Sequence, residues 1–324
     1  MTENTLVKSQ SPALAIRDIP LDQNPASIYL AGLSESGRRT MRQILDLLAG
    51  MTTSNPDALA CDWAALRYPH VTAIRSRLQE GGYKPATVNK ALAAIRGVLR
   101  AAWQAGQMTA EDYQKAVSVK GVKSETLPAG RELTTGEIAA LMQACETDPT
   151  PAGIRDAAII ALMYAAGLRR EEVITLDLAD YDPGTGRLLI RGKGKKERTA
   201  YLDNGAAEAL ADWLAARGAE PGALFLPVNK GGKMSHRRIT PQAVYNMLYK
   251  RAALAGVKSF SPHDLRRTFV SDLLDAGADI VIVAKMAGHA SVTTTARYDR
   301  RPEDAKRRTA NLLHLPYKRR TLNP

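Results

Sequence analysis

The stretch Ser261-Pro262-His263-Asp264-Leu265-Arg266-Arg267 opens a helix and puts chemistry on its first turn. Ser261 is a cap residue, and Pro262 suits the first helical position because it has no N–H to leave unpaired. His263 and Arg266 are three residues apart, so both side chains leave the same face. The N–H groups of a first turn, with the helix dipole behind them, favour a bound anion. Taken alone, an H-x-x-R pair is ordinary and is usually structural or simply exposed.

Working outward, Asp279 and Ser291 open two more short helices. Gly288 ends the first of them and leaves His289 at a corner where its side chain projects into a cleft. Thr294-Thr295-Ala296-Arg297-Tyr298 follows. Upstream, Thr240-Pro241 repeats the cap-and-proline signal. Arg187–Arg191 and Arg198–Leu202 read as short strands flanking the turn Gly192-Lys193-Gly194-Lys195-Lys196, with Lys193 at the tip of the hairpin. Ile154–Ala166 is apolar almost all round and belongs in a core. Gly167 stops that helix, Leu168 anchors the corner and Arg169 follows, with Glu172 near enough to orient its guanidinium. Thr134 or Thr135 caps a helix running to about Ala144. The region is mainly α with a small antiparallel β-sheet. Each signal alone has a bland reading: a solvated turn, a tripeptide of no meaning, a satisfied helix-end histidine.

The first part of the chain reads differently. Residues 1–24 form a polar leader, 25–119 a helical domain, 120–133 a charged, aperiodic linker, and 134–324 the second domain with a C-terminal tail. Ser36–Leu48 carries Met41, Ile44, Leu45 and Leu48 at helical spacing. A longer helix starts at Lys84-Pro85-Ala86-Thr87 and ends at Gly106. Its apolar stripe is Val88, Ala91, Leu92, Ile95, Val98, Leu99, Ala102 and Trp103. Asn89, Arg96 and Arg100 line its other side. With Arg38, Arg42, Lys84 and the hairpin's Lys195, they are the candidate contacts to a DNA backbone; a solvated basic face would look the same. In the tail, Ala305–Leu315 has helical character.

With 324 residues, 45% of them hydrophobic, two packed domains are expected. The apolar run from Ala157 to Leu168 is too short to span a bilayer, and no signal peptide opens the chain, so a cytoplasmic protein without membrane contact is expected. Cys61 and Cys145 stand in no metal-ligand spacing. The net charge of +12 suits a polyanionic partner. No carboxylate cluster accompanies the histidines, which disfavours a metal-dependent nuclease.

Gly167-Leu168-Arg169-Arg170-Glu171-Glu172, Gly192-Lys193-Gly194, His263-Asp264-Leu265-Arg266, Gly288-His289 and Arg297-Tyr298 together resemble, in order and interval, the motif set of the tyrosine recombinase (phage integrase) family. The resemblance covers roughly residues 132–313 and, more weakly, the helical first domain. It implies a two-domain C-shaped clamp on double-stranded DNA with an inverted-repeat core site. It also implies a homotetramer working through a Holliday junction, with an accessory DNA-bending protein or partner recombinase in some members. The short leader points to a Xer-like, transposon, plasmid or simple phage enzyme. The chemistry of a phosphodiester agrees with the roles so implied. Arg169 and Arg266, joined by His289, would hold the non-bridging oxygens. Tyr298 would be the nucleophile, His263 its general base, Lys193 the general acid and Glu172 a support for Arg169. No metal, ATP or other cofactor is required. Two rivals remain: a type IB topoisomerase-like or telomere-resolving enzyme, and a non-enzymatic DNA-binding protein.

Overall fold

The computed structural model describes residues 20–53, 55–123, 130–192 and 197–299, together with 310 and 316. Lys193, Lys195, most of the leader and nearly all of the tail segment Ala305–Leu315 lie outside the described residues. The chain divides between residues 127 and 128 into two units, each with its own core.

The first unit is helical: α1 (Pro25–Ala31), α2 (Glu35–Thr52), α3 (Tyr68–Glu80), α4 (Pro85–Gln104) and α5 (Ala110–Val117). Asn24, within the expected leader, is buried and caps α1 by accepting from the N–H groups of Ala26 and Ser27. The other four helices pack on α4, whose stripe from Val88 to Ala102 is buried. Each large aliphatic side chain so covered contributes about 1.5–3 kcal/mol. Helix α1 comes so close that a Cβ on Gly97 would sit 2.2 Å from the Tyr29 ring. Trp103 departs from the expected stripe. It is 40% exposed and stacks on Tyr113 with 5.1 Å between ring centroids, as suits a side chain too large to bury fully at a helix end.

The basic residues of this unit do not form the free face that their spacing suggests. Arg96 donates to the carbonyls of Val117 (3.3 Å) and Val119 (2.6 Å), and Asn89 bonds both the N–H and the carbonyl of Val122. Arg100 reaches the Tyr113 hydroxyl at 3.4 Å. The reason is tertiary: the chain leaving α5 runs back along α4, and the row on α4 satisfies its otherwise unpaired backbone groups. Arg38 likewise donates to the Leu30 carbonyl at the end of α1, and Arg42 pairs with Asp46 and Asp57. Lys84, the N-cap of α4, is exposed.

The second unit runs α6 (Thr135–Glu146), α7 (Pro151–Ala165), α8 (Arg170–Thr175), β1 (Tyr181–Asp182), β2 (Arg187–Arg191), β3 (Glu197–Tyr201), α9 (Asn204–Arg217), α10 (Pro241–Leu254), α11 (Pro262–Asp275), α12 (Ile280–Ala287) and α13 (Val292–Ala296). The strands form an antiparallel sheet in the order β1-β2-β3, with Ile190 opposite Arg198 and Leu188 opposite Ala200. Two residues carry no periodicity, so β1 was not legible in the sequence. Helix α7 is buried and tied to α10 by Arg251, which pairs with Asp156 and Asp148. Breaking such a buried pair on one side costs about 3–5 kcal/mol.

Residues 130–133, read above as the end of the linker, are bonded to α11. Arg131 donates its N–H to Asp264 (3.0 Å), Arg267 donates to the Gly130 carbonyl (3.1 Å), and Leu133 donates its N–H to Thr268 (2.9 Å). These partners are more than 130 residues away, which is why the segment looks aperiodic in sequence. Among the described residues, no helix is long and apolar enough to cross a membrane.

Candidate active site

Two left-handed glycines set the corners of the site. Gly167, at φ 57°, turns the chain out of α7 and lies so close to Phe269 that a Cβ would meet its ring at 2.5 Å. Gly288, at φ 62°, ends α12, and a Cβ there would approach Arg198 Nε to 2.9 Å. Both positions therefore require glycine on two counts. Their carbonyls serve the arginines. Arg266, 2% exposed on α11, donates to the Gly167 and Ala287 carbonyls, and Arg169 donates to the Gly288 carbonyl at 3.1 Å.

Arg169 is the N-cap of α8 and is held by Glu172, whose Oε2 accepts from the Arg169 backbone N–H at 2.9 Å while Oε1 accepts from Nη1 at 2.6 Å. Arg198, on β3, donates to the same Glu172 Oε2 at 2.8 Å. Three guanidiniums thus gather around one carboxylate that is only 5% exposed. Burial, and then the nearby Arg169, bring the Arg266 guanidinium down to about 9, which still leaves it a cation at neutral pH.

Tyr298 follows α13 and packs on the small cluster of Phe269, Val270, Leu274, Val283 and Ala287. His263 Nε2 stands 3.2 Å from its hydroxyl. The Arg267 guanidinium lies over its ring, 5.4 Å from the centroid, and the His289 ring stacks against it at 6.2 Å. The Thr295 hydroxyl is 2.8 Å from His289 Nδ1 and fixes the imidazole's orientation. Burial, then Arg266 and Arg267, hold His263 below the usual imidazole range. Burial, then Arg266 and Arg169, take His289 down to about 4. Both rings are therefore neutral at pH 7. At the start of α11 the Ser261 hydroxyl and the Asp264 carboxylate form a capping box, so part of the expected anion-binding turn is already occupied by the chain itself.

Five of the six expected residues, Arg169, His263, Arg266, His289 and Tyr298, are linked through direct contacts or shared partners, with Glu172 beside Arg169. Lys193 lies outside the described residues. Sequence reasoning passed over Arg198 and Arg267. Arg198 had a signal, since a strand alternation that buries Ala200 also turns residue 198 to the covered face, where an arginine is unusual. Arg267 stands four residues after His263, on the same side of α11.

The phage integrase family model matches residues 131–304. The chain belongs to the phage integrase family. It is 33% identical to tyrosine recombinase XerC of Corynebacterium efficiens over 274 residues, 84% of this chain and 83% of that one. It is 36% identical to tyrosine recombinase XerD of Mycobacterium tuberculosis over 64% of this chain and 68% of that one. Two solved structures share the fold at low identity. One is the Tn1549 transposon integrase with circular intermediate DNA (TM-score 0.64, 17% identity, covering 91% of this chain and 100% of that one). The other is a lambda integrase dimer on a core site (TM-score 0.63, 16% identity, covering 86% and 93%). As in its phage integrase relatives, the enzyme class here is tyrosine recombinase.

Proposed function

We propose that this tyrosine recombinase cuts and rejoins double-stranded DNA at a specific site, with Tyr298 as the nucleophile. The phenol proton passes to His263, the bond between Tyr298 Oη and phosphorus forms, and the bond from phosphorus to the 5′-oxygen breaks. The 5′-oxygen takes a proton from Lys193. A tyrosine phenol ordinarily ionises near pH ~10, so it is a poor attacker unless its proton has somewhere to go. The 3.2 Å approach of His263 Nε2 to the Tyr298 hydroxyl is the observation that carries this reading. Arg169 and Arg266, with His289, hold the non-bridging oxygens, on which extra negative charge develops during in-line attack.

The 3′-phosphotyrosyl ester conserves the energy of the broken bond. Attack by a 5′-hydroxyl from the partner duplex then rejoins the strands without ATP. A homotetramer on two inverted-repeat core sites, exchanging strands through a Holliday junction, accounts for recombination between duplexes. A DNA-bending protein or a partner recombinase would set the direction in the cell. The relatives solved on DNA support DNA as the substrate class. Tyr298→Phe removes one oxygen. It should bind target DNA like the unaltered chain and form no covalent adduct on a suicide substrate. An adduct that survives denaturation in the Phe variant would move the nucleophile elsewhere, with Tyr317 the next tyrosine downstream.

A further inference from the structure

Arg198 holds an expensive position. Its side chain is 11% exposed, and Nη2 alone is well bonded, at 2.8 Å to Glu172 and 3.5 Å to the Gly167 carbonyl. Nε and Nη1 have no hydrogen-bond partner among the described residues. A buried guanidinium with idle donors costs stability that an apolar side chain opposite Ile190 would not. Burial and the neighbouring Arg169 both work against its charge, and only Glu172 favours it. Packing therefore does not explain the residue.

Arg198 binds one of the groups that hold Arg169 and lies close to the other. It shares the Glu172 carboxylate, and its Nε fills the space a Cβ on Gly288 would enter, beside the residue whose carbonyl accepts from Arg169. Paired with Glu172 alone, Arg169 would have much of its charge offset at 2.6 Å by a carboxylate that is itself buried. A second cation on the same carboxylate divides that attraction. We propose that Arg198 is a positioning residue that offsets Glu172, so that Arg169 stays fixed in place while its positive field remains available to the scissile phosphate. The inference rests on the function proposed above.

The test uses the full-length chain and a nicked duplex recovered by binding selection with that chain. One version carries an ordinary scissile phosphate; the other has one non-bridging oxygen replaced by methyl, which removes the charge. On the ordinary phosphate, Arg198→Gln should slow adduct formation on the order of tenfold, a usual coupling within one ion-pair network. Arg198→Lys should recover part of this loss. On the methylphosphonate the gap between Arg198→Gln and the unaltered chain should shrink to within about threefold. An equal loss on both substrates would make Arg198 a structural latch and overturn the proposal. If the uncharged substrate reacts with neither protein, the double variant Glu172→Gln/Arg198→Gln decides the matter. It should exceed Arg198→Gln on the ordinary phosphate, because the carboxylate needing an offset is gone; failure to exceed it overturns the proposal as well. Absence of any adduct at Tyr298 in the unaltered chain would defeat the proposed function, whereas an active unaltered chain with equal losses defeats only the role of Arg198.

Discussion

His263 Nε2 and the Tyr298 hydroxyl meet at 3.2 Å across 35 residues of chain. The contact joins the first turn of α11 to the residue beyond the C-cap of α13, with Arg267 over the phenol ring and His289 stacked beside it. A neutral imidazole in this place can accept the phenol proton. Burial, and then the cations Arg266 and Arg267, keep it neutral.

With His263 as the proposed base, that setting should fix the acid side of the pH profile. A base held below the ordinary 6.5 stays unprotonated to lower pH, so adduct formation should persist as pH falls past 6.5 and decline only below it. Arg267→Gln removes one of the cations that depress His263, and its acid limb should move upward. A limb that stays put in single-turnover cleavage would assign it to another group.

Stability carries a related signature. His289 titrates at about 4 when folded and near 6.5 when unfolded, so between those values the unfolded chain binds the extra proton. The sign follows: stability is retained above 6.5 and is lost as pH falls towards 4, with His263 contributing in the same direction. His289→Asn should flatten part of this slope, read as denaturation midpoints across that window. An unchanged slope would show that His289 does not titrate as its surroundings imply.

Lys193 is tested by its leaving group. A 5′-alkoxide needs a proton to depart, whereas a thiolate, from a thiol of pKa ~8.5, does not. Lys193→Ala should lose about 10²–10⁴-fold on ordinary DNA and regain much of that on DNA with a 5′-bridging sulfur. Arg169→Ala should stay impaired on both. Equal defects of Lys193→Ala on the two substrates would send the search for the proton donor to His289 or Lys195.

The positive field around the phosphate comes from side chains in this proposal, which leaves no task for a divalent ion. Cleavage should continue in excess chelator at the rate seen without it. Loss of cleavage that magnesium restores would count against the mechanism.

The sequence by itself determined the local devices. Caps such as Thr240, Ser261 and Asp279, the first-turn prolines, the left-handed turns at Gly167 and Gly288 and the stripe of α4 are each set by neighbours within a few residues. They were legible, and so was the family, because its motifs sit on them. The tertiary structure alone decided who pairs with whom. Asn89 and Arg96 face outward by helical spacing yet bind the chain after α5. Arg266 bonds a carbonyl 99 residues away, and Glu172 is shared between Arg169 and a strand arginine that no motif marks. The physical reason is the same in each case. Periodicity reports which side of an element is apolar, but a guanidinium is satisfied by whichever carbonyl or carboxylate the folded chain brings within about 3 Å of it.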